Sequence, residues 1–110
     1  MNKMRRKAIM VIITRLNDLS VKVQTDGLEN YIDELEDIVS DIQIILEEET
    51  DYMENIPENL QGGERYERAE DACESLEDAV DTLEYISVDD PIDNIIKEID
   101  RATKSLNYAM

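Results

Sequence analysis

Residues 64–87, ERYERAEDACESLEDAVDTLEYIS, decide the fold. Tyr66, Ala69, Cys73, Leu76, Val80 and Leu83 recur at alternating steps of three and four, the narrow apolar seam of coiled-coil packing. Ala72 and Ala79 flank that seam and let a partner helix come close. Opposite it stand Glu67, Asp71, Glu74, Asp78 and Asp81, with Glu70, Glu77 and Glu84 along one flank. A rod that is oily on one edge and acidic on the other must lie against a second rod.

The sequence before it supplies that second rod. Leu28, Tyr31, Ile32, Leu35, Ile38, Val39, Ile42, Ile45 and Leu46 repeat in heptads and predict a helix over about 28–55. At ~1.5 Å per residue it would run ~40 Å. Ile56-Pro57 and Gly62-Gly63 end it, because proline disfavours helical geometry at the residue before it. So short a connection makes an antiparallel hairpin the natural pairing.

One helix is expected on each side of the hairpin. Ile9, Ile12, Ile13, Leu16, Leu19 and Val23 mark one over about 4–24. Its stripe is out of phase with the next, and the slip falls at Thr25-Asp26-Gly27, where Asp26 and Glu29 read as a capping box. A single long helix with a stutter at Gly27 is the alternative. Ile92, Ile95, Ile96, Ile99, Ala102 and Leu106 mark a last helix over about 91–107, with Asp90 as its N-cap and Pro91 at its first position. The expectation is one all-α domain over residues 1–110: a long, coiled-coil-like antiparallel hairpin with a shorter helix before and after it, a three- to four-helix bundle.

Charge is distributed as unevenly as hydropathy. The 110 residues hold 28 acids against 11 cations, a formal charge of −17. Six cations and one acid fall in residues 1–25, whereas residues 26–90 hold 24 acids against Arg65 and Arg68 alone. Such a surface repels nucleic acid and anionic lipid and attracts basic protein surfaces from a distance. Direct nucleic-acid binding is not expected. The basic opening, Lys3-Met4-Arg5-Arg6-Lys7, precedes only six apolar residues, too few for a signal peptide or a membrane span.

The residue types needed for catalysis are scarce. There is no His, which removes the commonest general base and metal ligand. The single Cys73 suits a reducing compartment and sits in the seam, where it reads as a small buried hydrophobe. Glu47-Glu48-Glu49-Thr50-Asp51 lies inside a helix, where consecutive side chains diverge and cannot form a calcium loop. The expectation is therefore no enzyme, no cofactor and no metal site.

The acidic surface remains as the candidate site. Its contact residues are Asp33, Glu36, Asp37 and Glu47 on the second helix, and Glu67, Asp71, Glu74, Asp78 and Asp81 on the third. Carboxylates three and four apart on a helix lie ~5–6 Å from one another, close to the ~7 Å between phosphates along a strand. Such a row can imitate DNA on the basic surface of a nucleic-acid-handling protein, or it can merely keep a small protein dissolved.

The segment from Glu47 to Val88, with Pro57-Glu58-Asn59-Leu60-Gln61 at its turn, resembles small acidic helical-hairpin proteins of bacteria and phages. The resemblance covers a little over a third of the chain and carries no activity with it. It implies a prokaryotic or phage setting and a helical hairpin; by analogy with small phage proteins of this size and charge, which are often inhibitors of host defence enzymes, anti-CRISPR proteins among them, a cytoplasmic inhibitor is expected. The functional expectation is a non-catalytic acidic binding protein, an inhibitor or regulator of DNA-mimic type. Two alternatives stay open: a homodimeric or larger structural module joined through apolar surface such as Ile44, and a membrane-surface protein anchored by the basic first helix.

Overall fold

The computed structural model describes all 110 residues, in four helices: α1 (Lys3–Asp26), α2 (Ile32–Glu54), α3 (Glu64–Glu84) and α4 (Ile92–Ala109). Each runs antiparallel to the next. α3 packs most extensively, between α2 and α4, and α1 closes the ring by touching α2 and α4. The result is an up-down-up-down bundle of 52 × 21 × 18 Å, with α1 diagonal to α3.

The four stripes read from the sequence supply the core, except that Ile92 is 42% exposed and Tyr66 is only half-buried. Ile9, Ile12, Leu16, Leu19 and Val23 of α1 meet Leu35, Ile38, Ile42 and Ile45 of α2, with Leu76, Leu83, Ile95, Ile99 and Leu106 from the other pair. Ala72 and Ala79 on α3 and Ala102 and Ala109 on α4 are buried too, and these small side chains bring the two backbones close. No helix is long and apolar enough to cross a membrane. The apolar stripe that the sequence assigns to α1 lies inside the bundle.

The helix ends follow local chemistry. Asn2 caps α1, its side chain accepting a 2.8 Å hydrogen bond from the Arg5 amide. α1 stops at Gly27, whose φ of +79° a residue with a Cβ rarely adopts; its N–H reaches back to the Val23 carbonyl. The break is thus real, and there is no stutter. The capping box is not formed: the Asp26 carboxylate accepts from the Tyr31 hydroxyl at 2.6 Å instead, and a single 3₁₀ turn, Glu29–Tyr31, leads into α2.

Two further expectations are adjusted. Asp90 does not cap α4. Its carboxylate accepts from the Ser87 amide within the α3–α4 loop, and the Pro91 carbonyl instead accepts the amides of Asn94 and Ile95. α1, expected to be shorter than the hairpin helices, is the longest at 24 residues, because its stripe continues without a breaker to Gly27.

Candidate protein-binding surface

Two rows of carboxylates run along α2, and the fold treats them differently. The row facing α1 is Glu34, Asp41 and Glu49. Lys22 lies 3.4 Å from Glu34, Arg15 is hydrogen-bonded to Asp41, and Arg5 Nε donates to Glu49 Oε2 at 2.7 Å. Three of the six cations of the N-terminal segment, Arg5, Arg15 and Lys22, are therefore turned onto α2.

The Arg5–Glu49 contact is the deepest of these. The Glu49 side chain is wholly buried and that of Arg5 is 13% exposed. Glu49 Oε1 accepts no hydrogen bond, and the amino group of Met1 lies 3.8 Å from it. The Arg5 guanidinium stands 5.6 Å from the centre of the Tyr52 ring, within cation–π range. Arg65 reaches the same ring at 5.7 Å and donates to the Tyr52 hydroxyl at 2.7 Å. Tyr52 thus ties the start of α1 to the start of α3 through the end of α2.

Sequence reasoning missed this cluster, although a signal was present. Glu49 continues the core row Leu35, Ile38, Ile42, Ile45 at its next position, and Arg5 stands one turn before Ile9 in the core row of α1. Two opposite charges on facing core rows announce a buried pair.

The second row of α2 and the whole of α3 carry the residues expected to make contact. Asp33, Glu36, Asp37, Glu47, Glu67, Asp71, Glu74, Asp78 and Asp81 are all exposed. None of them closes an ion pair, since the six present involve Glu34, Asp41, Glu49, Glu64 and Asp100. On α3 the row Glu67, Asp71, Glu74, Asp78, Asp81 is unbroken and spans ~21 Å of helix axis. On α2 it is broken: Ser40 and Ile44 occupy the outward positions between Asp37 and Glu47, and Ile44 is 55% exposed.

The nine carboxylates do not share one plane. Glu36 joins Glu84 of α3 along a groove of about 340 Å³ between the two helices, floored by Leu35 and Leu83. Asp78 and Asp81 border the other side of α3, where Arg101 of α4 enters the same groove without closing an ion pair. The site is a ridge centred on α3, with a shoulder on α2 and a cationic margin on α4.

No cluster of three or more His, Cys, Asp or Glu side chains is placed to hold a metal ion. Cys73 is buried against α2, with its sulfur 3.6 Å from the Thr50 hydroxyl. Burial pushes its thiol pKa up, and nearby Glu49 and Glu77 add to the rise. A thiol held in its neutral form is a poor nucleophile.

Comparison with protein-family models, with curated proteins and with solved structures returns no match to this chain.

Proposed function

We propose that this chain is a non-catalytic binding protein whose acidic ridge on α3, with its shoulder on α2, docks on the basic surface of a nucleic-acid-handling protein and excludes DNA or RNA from it. A single observation carries the reading. Arg5, Arg15 and Lys22 are paired along the α1-facing row, while all nine ridge carboxylates are exposed and unpaired. Like charges at three- and four-residue spacing destabilise a helix by a few tenths of a kcal/mol per pair. A row of five on one helix is a standing strain that a cationic partner relieves. A surface needed only for solubility tolerates interspersed lysines, and α3 has just Arg65 and Arg68, both in its first turns.

The affinity of such a complex comes largely from released counterions, as it does for DNA itself. The experiment follows from this. The chain is immobilised in a bacterial lysate at low salt, and captured proteins are challenged with duplex DNA and with rising salt. The reading expects a basic protein that both treatments release and that a Glu67→Gln, Asp71→Asn, Glu74→Gln, Asp78→Asn variant of unchanged helicity fails to capture. Capture that survives the fourfold substitution, or that DNA does not displace, rejects it.

A further inference from the structure

We propose that two copies of this chain associate through the outward face of α1, antiparallel about a two-fold axis. That face carries a second heptad row, distinct from the one in the core: Met4, Lys7, Val11, Thr14, Asp18, Val21 and Thr25, spaced alternately three and four apart. Met4, Val11 and Val21 are 81%, 59% and 64% exposed. Thr14 and Thr25 donate their hydroxyls to the carbonyls of Met10 and Val21 one turn back, so each hydroxyl is satisfied within its own helix. Five of the seven positions are therefore apolar in effect, a coiled-coil seam with nothing against it.

The two charged positions name the occupant. Lys7 and Asp18 are exposed, and neither closes an ion pair within the chain. In an antiparallel pairing centred between Ile12 and Ile13, Lys7 stands level with Asp18 of the second copy, and the contact occurs twice. The same register sets Val11 beside Thr14 and Met4 beside Val21, again twice each. A parallel pairing sets Lys7 against Lys7 and Asp18 against Asp18, so the row is self-complementary in one direction only. The acid rows of α2 and α3 repel their own kind, whereas α1 lies diagonal to α3 and keeps the two ridges apart.

One helix pair makes a small interface, below about 1,200 Å², so the dimer is a weak one. Its salt dependence has a distinctive sign. Two bodies of charge −17 repel over a Debye length of about 30 Å at 0.01 M salt but only about 10 Å at 0.1 M. Self-association therefore strengthens as salt rises, while docking through the acidic ridge weakens. The two ideas use opposite faces and fail independently.

Sedimentation equilibrium of the full chain, from micromolar to millimolar and at low and high salt, tests the proposal. A monomer–dimer equilibrium that tightens with salt is expected. Lys7→Asp alone, or Asp18→Lys alone, raises the dissociation constant about tenfold or more, because two attractive contacts become repulsive. The double variant Lys7→Asp, Asp18→Lys restores it to within about threefold, with circular dichroism showing unchanged helicity throughout. A chain that is monomeric under every condition overturns the proposal. So does a double variant that fails to recover, or a Val11→Asp variant that dimerises as before but loses a basic protein partner.

Discussion

The α1–α2 contact and the outer surface of α3 use the same residue type to opposite ends. Between α1 and α2, carboxylates at Glu34, Asp41 and Glu49 meet Lys22, Arg15 and Arg5, and charge becomes part of the packing. On α3, the carboxylates of Glu67, Asp71, Glu74, Asp78 and Asp81 are exposed and close no ion pair. The charge of −17 is therefore not a uniform coat. It is paired along the α1–α2 contact and left unpaired along the α3 ridge.

Breaking the deepest pair tests the first half of that contrast most severely. Arg5→Met leaves a wholly buried carboxylate without its hydrogen-bonded cation, and such a loss costs about 3–5 kcal/mol. The double change Arg5→Met, Glu49→Met removes the charge as well as the pair and should recover most of the loss. Urea unfolding of the single and double variants measures both. A single variant as stable as the natural chain shows that Glu49 finds water or another cation.

The α3–α4 contact is apolar and close, so its weakness is volume rather than charge. Ala79→Leu forces a larger side chain into a position with no exposure and should destabilise by about 1–3 kcal/mol. A smaller effect, of opposite sign, is expected on the ridge. Replacing Glu67, Asp71, Glu74 and Asp78 by their amides relieves like-charge pairs worth about 0.2–0.5 kcal/mol each at low salt. The thermal midpoint should rise at low salt and the gain should fade as salt is added. Asp41→Asn, from the paired row, should instead lower it, by at most about 1 kcal/mol, since Arg15 and Asp41 are partly solvated.

The α1–α2 hinge gives the finest test. The hydrogen bond from Tyr31 to Asp26, followed by desolvation and the Asp26 and Glu34 charges, raises the Tyr31 pKa above its ordinary value near 10. A folded-state pKa above the unfolded one means a contribution that is complete below about pH 10 and is lost as pH rises through the raised value. Asp26→Asn should shift the Tyr31 step back down in a tyrosinate absorbance titration. Tyr31→Phe should remove that step and its share of the alkaline loss of stability.

Much of this architecture was legible in residue order. The α3 seam, the chain break at Gly27 and the proline-and-glycine turn each rest on strong local rules, and the bundle follows from four stripes that each need a partner. The cap of α4 was misread because an aspartate before a proline can serve the loop behind it as easily as the helix ahead; only the position of the Ser87 amide decides. The exposure of the ridge carboxylates followed from periodicity alone. The split of α2 acids into a paired and an unpaired row did not, because pairing depends on which helix lies alongside, and the order of helices around a bundle is not written in any one stripe. Glu49 was hidden by its company: amid Glu47, Glu48 and Asp51 its place in the core row drew no notice, although Leu35, Ile38, Ile42 and Ile45 point to it.

The buried Arg5–Glu49 contact also limits how the rods can be staggered. Most of the remaining interior is aliphatic, and apolar contact is non-directional where an ion pair is not. Shift α1 by one turn in either direction, and Glu49 faces Met1 or Ile9 in place of a guanidinium, while Arg5 is carried off its counterpart. Only one alignment seats both ions, and the Arg15–Asp41 and Lys22–Glu34 pairs are made in that same alignment.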